Sequence, residues 1–483
     1  MRCTLCSIVA LVLTTIFTSP ATAADRPNVL FLFADDQAFD TLAALGNKEI
    51  KTPNLDRLVA KGTTFTRAYN MGSWSGAVCV ASRTMLNTGR FLWKAEKVYA
   101  KTDAEREAGR FWPTLMSNAG YDTYFTGKWH VRAKAEKAFD TAQHIRGGMP
   151  NQTPQGYNRP IEGKPDAWKP WDTKFEGFWK GGKHWSEVVA DDAESYLREA
   201  KKSKDPFFMY IAFNAPHDPR QSPKEYVEKY PLKNISVPKN YLPEYPHKEE
   251  MGAGKGLRDE KLAPFPRTEF AVKVHRQEYY AIITHMDEQI GRILDTLEAT
   301  GQAKNTMIFF TADHGLAVGQ HGLIGKQNMF DHSIRVPLMM VGPGVAAGKK
   351  IHARVYLQDV MPTTLELAGI PKPDYVQFRS LLPLITGKRD RQYDAIYGAY
   401  LQLQRAVIDG DFKLILYPKS STVLLFDLAN DPLEIKNLAD EPKHQAKLRS
   451  LFQVLIKLQR ETGDTLDLKS AFPELAATKA NAK

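Results

Sequence analysis

Short apolar runs, each closed by polar residues, form the clearest pattern along the chain. Residues 29–33, 207–213 and 307–310 are almost wholly apolar, which predicts strands buried on both faces of a parallel sheet. The polar residues that follow these runs are Asp35 and Asp36, then Asn214 and His217, and then Asp313 and His314. Because functional side chains of open α/β sheets gather beyond the carboxyl ends of the strands, we expect these residues to share one site.

Helical and hairpin patterns complete the predicted architecture. Residues 278–297 carry apolar side chains at helical spacing and predict a helix that packs on the sheet. Past about residue 386 the pattern changes. Residues 412–417 and 423–426 predict hairpin strands, and residues 443–460 predict a helix. The sequence therefore predicts an α/β fold with a large, mostly parallel sheet sandwiched by helices, followed by a smaller α+β unit.

The first residues predict export. Arg2 precedes the apolar run 8–17, and small residues follow at 21–23, which is the order of a secretory signal. The run is too short to span a bilayer, and no second segment of spanning length is found. We expect a periplasmic or secreted protein with no stable membrane anchor. The predicted divisions are a signal peptide (1–23), a catalytic domain (24–385) and a C-terminal α+β subdomain (386–483).

The net charge and one aromatic segment give information on what the protein binds. The formal net charge of +10 suits an anionic partner such as an acidic polysaccharide, nucleic acid or membrane surface, although a solvated basic surface explains it equally well. No nucleic-acid motif is present, and the oligomeric state stays open. Residues 168–185 hold four tryptophans among lysines and predict a long irregular insertion. These rings either pin the insertion to the core or face a substrate.

Asp35, Asp36 and Asp313 predict a metal site. Adjacent side chains in a strand point to opposite faces, so Asp35 and Asp36 reach one centre only where the strand ends and the backbone turns. A lone Asp-Asp pair is often only a solvated loop. Three carboxylates gathered at strand ends would repel one another without a cation, and hard oxygen ligands suit Ca²⁺ or Mg²⁺.

Cys79 is the only cysteine outside the N-terminal segment. Exported proteins usually pair their cysteines in disulfides, so Cys79 is either an unreactive buried thiol or a residue retained for its chemistry. Residues 82–86 can open a helix, which would place Arg83 on the same face as Cys79 and create a pocket that favours anions. A thiolate nucleophile would also suit this pocket, but a hard metal is a poor neighbour for a thiolate.

These residues resemble the signatures of a known family. Cys79-Val80-Ala81-Ser82-Arg83 with Thr88-Gly89-Arg90 looks like the signature of the type I, formylglycine-dependent sulfatases of the alkaline phosphatase superfamily. Gly120-Tyr121 with Gly127-Lys128-Trp129-His130 is similar to the second signature of that family. The resemblance extends in matching order from Asn28 through Asp427-Asp431-Pro432. Ala81 departs from it, since the family most often has proline there.

The resemblance implies an alkaline-phosphatase-like fold and a specific chemistry. A formylglycine-generating or radical maturation enzyme would oxidise Cys79 to formylglycine, whose hydrate attacks sulfur. The implied Ca²⁺ ligands are Asp35, Asp36, Asp313, His314 and the modified Cys79. Arg83 and Lys128 would hold the hydrate, and His130 would take its second proton. His217 and Lys326 would contact the sulfate and assist the leaving oxygen.

The expected function is hydrolysis of a sulfate ester on a sulfated carbohydrate. The aromatic and basic insertion favours a sugar, with rings for pyranose faces and cations for anionic groups. An aryl or choline sulfatase and a phosphonate or phosphate ester hydrolase of the same superfamily are enzymatic alternatives. A sulfated-glycan-binding protein is the non-enzymatic one. The sugar, the sulfate position and exo or endo action stay open.

Overall fold

The strands and helices follow the apolar pattern of the sequence. The computed structural model describes residues 26–149, 153–179 and 181–477, and the predicted signal peptide lies outside the described residues. The strands are β1 (Asn28–Asp35), β2 (Thr63–Tyr69), β3 (Gly72–Ser73), β4 (Asp122–Lys128), β5 (Thr141–Arg146), β6 (Phe207–Pro216), β7 (Thr306–Ala312), β8 (Arg335–Val336), β9 (Leu338–Val341), β10 (Lys349–Tyr356), β11 (Ala395–Tyr400), β12 (Gln404–Asp409), β13 (Phe412–Tyr417) and β14 (Thr422–Asp427).

Helices surround these strands. They are α1 (Pro53–Lys61), α2 (Val78–Thr88), α3 (Leu92–Tyr99), α4 (Thr102–Glu107), α5 (Trp112–Asn118), α6 (Trp185–Ala200), α7 (Lys224–Glu228), α8 (Glu269–Ala299), α9 (Asp331–Ile334), α10 (Val360–Leu367), α11 (Leu382–Ile385), α12 (Gln445–Thr462), α13 (Leu468–Ala471) and α14 (Pro473–Ala476). The predicted helix 278–297 lies inside the longer α8, and the predicted helix 443–460 corresponds to α12.

The large sheet has the strand order β10-β2-β9-β7-β1-β6-β4-β5, with β8 paired to β2. The central strand β1 is parallel to β6 and β7, and β4 is parallel to β5 and β6. The strand β9 runs antiparallel to β2 and β7. Every residue of β6 and β7 is buried, as expected for parallel strands covered on both faces. The predicted mixed, mostly parallel α/β fold is confirmed.

The core of the large sheet is strongly aromatic. Phe31 of β1 lies 4.9 Å from the Tyr210 ring of β6 and 5.2 Å from the Trp112 ring of α5, both in edge-on contact. The helices α6 and α8 contact each other and also β6. Packing of this density fixes the strand ends rigidly, which a site built on them requires.

A second, smaller sheet has the order β14-β13-β12-β11-β3. The strands β11 to β14 form an antiparallel meander, whereas β3, from a much earlier part of the chain, pairs in parallel with β11. Gly72 permits this close approach, because a Cβ there would lie 1.9 Å from the Ala399 carbonyl oxygen. The boundary at residues 385 and 386 stays a prediction. Among the described residues, no helix is both long and apolar enough to cross a membrane.

Candidate active site

The end of β1 directs two adjacent carboxylates to one centre. The pairing of β1 with β6 shifts register between Phe33 and Asp35, and Asp36 takes a φ of 67°, in the left-handed region. This turn breaks the alternation of the strand, so Asp35 and Asp36 both lie beside Cys79. Asp313 follows β7, and its Oδ1 accepts a hydrogen bond of 3.1 Å from the backbone N–H of Asp36. The structure thus brings Asp35, Asp36 and Asp313 together at the strand ends, as expected from the sequence.

Cys79 occupies the first turn of α2, with 2% of its surface exposed. Its thiol donates to Asp35 Oδ1 at 3.3 Å and to Asp36 Oδ1 at 3.7 Å. Burial, together with the charges of Asp313 and Asp35, raises the pKa of the thiol well above its ordinary value. As an unmodified cysteine, residue 79 is therefore held as a neutral thiol.

Arg83, Lys128 and Lys326 balance the carboxylates. Arg83 is fully buried, and its Nε donates to Asp313 Oδ2 at 2.9 Å. The ammonium group of Lys128 donates to Asp35 Oδ2, and that of Lys326 donates to Asp36 Oδ2. The site thus concentrates charges of both signs where water is excluded, and each contributes more than it would at the surface.

Burial and the lysines set the ionisation of the carboxylates. Burial raises the pKa of Asp36 to about 6 even though Lys326 opposes the shift. Burial and the charge of Asp313 raise the pKa of Asp35. Burial also opposes ionisation of Asp313, but Arg83, Lys128 and Lys326 outweigh it and hold its pKa below the ordinary value. Asp313 is therefore the carboxylate most firmly kept ionised.

The predicted site histidines hold different positions. His130 follows β4 with a φ of 52°. Burial, Lys128 and Arg83 lower its pKa to about 2, so its ring is neutral. His217 lies with Nε2 3.5 Å from Asp36 Oδ2, and its Nδ1 contacts the Asp218 carbonyl oxygen at 2.7 Å. His314 directs Nδ1 to the Gly315 carbonyl oxygen, which leaves its buried Nε2 without a hydrogen-bond partner among the described residues.

The donor set fits a divalent cation. Ligand atoms of Asp35, Asp36, Cys79 and His217 all lie within 4.8 Å of one another. This cluster differs from the ligand set expected from the sequence, because it includes His217. Asp313, an expected ligand, is engaged with Arg83 and with the Asp36 amide. Buried carboxylate oxygens are the donors that Ca²⁺ prefers. The unpartnered Nε2 of His314, next to Asp313 in the chain, is a softer donor.

Lys326 is held by residues that the sequence analysis did not identify. The carboxylate of Glu260 accepts hydrogen bonds from the amides of Ile324 and Gly325, at 3.1 and 2.9 Å, and pairs with Arg267. No motif marks Glu260, because it serves the site only through a contact across 65 positions of the chain.

The tryptophan-rich insertion is partly core and partly surface. Trp168 is buried and stacks on Phe175 at 4.5 Å. Trp185 is also buried, at the start of α6, whereas Trp171 and Trp179 are half-buried. Two of these rings therefore serve packing, and the other two remain accessible.

Comparison with known proteins identifies the family. The sequence model of the family "Sulfatase" matches residues 27–370, and that of "N-sulphoglucosamine sulphohydrolase, C-terminal" matches residues 319–461. The chain is 28% identical over 465 residues to an arylsulfatase of Clostridium perfringens, covering 89% of this chain and 94% of the relative. It is 25% identical over 517 residues to an N-acetylglucosamine-6-O-sulfatase of Bacteroides thetaiotaomicron, covering 91% and 87%.

Solved structures share the fold. One, determined in complex with its substrate D-glucosamine-2-N,6-O-disulfate, has a TM-score of 0.70 at 23% identity and covers 91% of this chain and 99% of its own. A phosphonate monoester hydrolase of Agrobacterium radiobacter has a TM-score of 0.69 at 22% identity, with 90% and 96% covered. Because the sulfatase model matches most of the chain, and the expected catalytic signatures lie inside the match, this protein belongs to the sulfatase family and is a sulfuric ester hydrolase.

Proposed function

We propose that the protein is an exported sulfatase that removes sulfate from a sulfated carbohydrate, using a formylglycine made from Cys79 together with Ca²⁺. The observation that carries the proposal is the position of Cys79. Its side chain contacts Asp35 and Asp36 at the carboxyl end of β1, and Lys128 and Lys326 contact the same two carboxylates. A nucleophile, metal donors and anion-binding cations thus converge on one buried point.

Cys79 is, in this proposal, the precursor of the nucleophile. A hydrated aldehyde at this position supplies a hydroxyl for attack on sulfur and a second hydroxyl through which sulfate is released. Because Cys79 is buried within the first turn of α2, the maturation enzyme must reach it before the chain folds. Export to the periplasm or beyond is supported by the pattern of the first 23 residues.

Asp35 and Asp36, with residue 79, would hold Ca²⁺, and Asp313 and His314 would complete the ligand set that the family resemblance implies. The ion, when bound, supplies positive charge beside residue 79. Lys128 and Lys326 contact the same carboxylates and would add positive charge for the hydrate and the sulfate.

The remaining residues act on charge and protons. Arg83 fixes Asp313 and reaches the Lys128 carbonyl oxygen at 2.5 Å, so it orients both. Lys326 and His217 would contact the sulfate and stabilise the leaving oxygen. His130 has a neutral ring and would take the proton of the second hydroxyl, which requires the negative charge of the bound sulfate to raise its low pKa.

Aromatic and basic side chains near Cys79 support a carbohydrate substrate. Trp74, five positions before Cys79, lies 5.9 Å from the Tyr99 ring, and both rings are half-buried. The exposed Arg132, two positions after His130, lies 5.5 Å from the same Tyr99 ring. Such a surface offers ring faces to a sugar and a cation to an acidic group. The resemblance to an N-acetylglucosamine-6-O-sulfatase points in the same direction.

Mass spectrometry and substrate screening test the proposal. Protein purified from its native host should carry formylglycine at position 79, and it should release sulfate from defined sulfated oligosaccharides faster than from an aryl sulfate or choline sulfate. A phosphate ester of the same alcohol should react much more slowly than the sulfate ester. Turnover of aryl sulfate but of no saccharide would refute the carbohydrate assignment. An unmodified thiol in fully active protein would refute the formylglycine.

Cys79→Ala is the matched control for the nucleophile. It removes the group that becomes formylglycine but leaves the small side chain that α2 accommodates at this buried position. We expect no measurable turnover and a thermal midpoint close to that of the wild type. Near-normal activity of this variant would show that another group is the nucleophile.

A further inference from the structure

Arg146 makes no ion pair among the residues that the structure describes, although the nearby charge of Glu176 favours its charged form. It ends β5, and its guanidinium carbon lies 3.2 Å from the centre of the Trp185 ring, so the two groups are stacked. Its Nη1 is buried and has no hydrogen-bond partner among the described residues. Glu176 is exposed, and its charge offsets the effect of burial on Arg146 only in part.

Arg146 ends a strand that borders the active site. It is the register partner of Lys128, one strand further out in the sheet, and its carbonyl oxygen accepts a 2.7 Å hydrogen bond from the Trp129 amide. The residues after it approach the site closely. A Cβ at Gly148 would lie 3.1 Å from Nε2 of His130, and Met149 Sδ lies 3.1 Å from the Asn214 amide nitrogen.

The contact with Trp185 restrains the Arg146 side chain but does not provide a hydrogen-bond acceptor for its Nη1. Arg146 is half-buried, and leaving its buried Nη1 without an acceptor is unfavourable. Burial lowers the pKa of Arg146 to about 10 against the opposing charge of Glu176, which still leaves the group charged at neutral pH. Trp185 holds the guanidinium plane in one orientation. Its N–H edge is therefore free to donate two parallel hydrogen bonds to a planar or tetrahedral oxyanion.

We propose that Arg146 binds a second oxyanion, a carboxylate or sulfate, on the same saccharide whose sulfate ester lies at residue 79. The proposal rests on the carbohydrate sulfatase function proposed above and adds to it the chemistry of the neighbouring group. The preferred substrate is then a polyanionic saccharide rather than a singly sulfated neutral one.

Three matched disaccharides test this assignment. All carry the same sulfate ester, and they differ in the neighbouring sugar, which is neutral, a uronic acid, or sulfated. The readout is the kcat/KM for each anionic substrate divided by that for the neutral one. This ratio is independent of the basal rate of any variant. Arg146→Met removes the donors, Arg146→Lys keeps the charge without the planar fork, and Arg198→Met, at an exposed position on α6, is the control.

The wild type should prefer at least one anionic substrate, and Arg146→Met should lower that ratio about 10- to 100-fold, as loss of charge-assisted hydrogen bonds predicts. The ratio for Arg146→Lys should lie between those of the wild type and Arg146→Met. If Arg146→Met does not fold, Arg146→Lys serves as the test variant. The anionic substrate that loses its advantage identifies the oxyanion. An unchanged ratio in Arg146→Met, or an equal fall of the ratio in Arg198→Met, overturns the inference about Arg146. If these variants still release sulfate from saccharides, the proposed carbohydrate sulfatase function stands. Absence of all saccharide turnover, with an aryl sulfate still cleaved, refutes both.

Discussion

Acid should destabilise the protein through His184, the N-cap residue of α6. Nδ1 of His184 accepts a 3.1 Å hydrogen bond from the Ser186 amide, and Nε2 lies 2.8 Å from the Gln221 carbonyl oxygen. The ring must therefore be neutral, with its proton on Nε2. Burial and the nearby His285 lower the pKa of His184 to about 3. A proton added to Nδ1 would face an N–H donor.

The magnitude follows from linkage. The unfolded chain binds a proton at His184 below about pH 6.5 and the folded chain does not, so stability is complete above that pH and is lost as the pH falls towards 3. At pH 5 the loss from this one ring is about 2 kcal/mol. The loss matters for the site, because Trp185, on which Arg146 stacks, is the next residue.

His184→Asn tests this reasoning. Asparagine can still accept from the Ser186 amide as a helix N-cap, but it does not titrate. The variant loses ring packing equally at every pH, so its stability deficit relative to the wild type should shrink by about 2 kcal/mol between about pH 7.5 and about pH 5. Urea unfolding followed by tryptophan fluorescence measures both values. A deficit that does not change with pH would refute the argument, and His352→Asn, at an exposed ring, is the control.

Further outcomes concern the charged centre. Treatment of the native enzyme with EGTA should lower both turnover and the thermal midpoint, and Ca²⁺ should restore them better than Mg²⁺; an unaltered midpoint would contradict a calcium site. Arg83→Met should cost about 3–5 kcal/mol in unfolding free energy, because Asp313 stays buried without its partner, and a smaller cost in urea titrations would mean that Lys128 compensates. Glu260→Gln should lower kcat/KM by loosening the backbone before Lys326, and an unchanged kcat/KM would show that the loop holds without that carboxylate.

The site residues that could be predicted from the sequence are those whose positions depend on short-range sequence patterns. Asp35 and Asp36 lie at the end of β1, and Asp313 follows β7, the strand that pairs in parallel with β1, so their convergence depends only on parallel pairing. Cys79 and Arg83 lie one helical turn apart. Each of these relations spans a few residues or one register, which a sequence displays directly.

The parts that were missed depend on contacts between distant segments. Glu260 supports the amides before Lys326 from a loop without regular pattern. Arg146 shows no sign of function in the sequence, because only the fold brings it onto Trp185. Such relations are set by tertiary packing, and no local periodicity encodes them.

The pairing of β3 with β11 also determines when the segment before Cys79 can complete its folding during synthesis. Gly72 and Ser73 lie just before α2, but their partners Ala399 and Tyr400 are made about 330 residues later. At about 5–20 residues per second, the ribosome needs roughly 20 to 60 s to supply them. Until then the segment leading into Cys79 lacks its strand partner. The interval would give the proposed maturation enzyme time to act on position 79 before the fold encloses it.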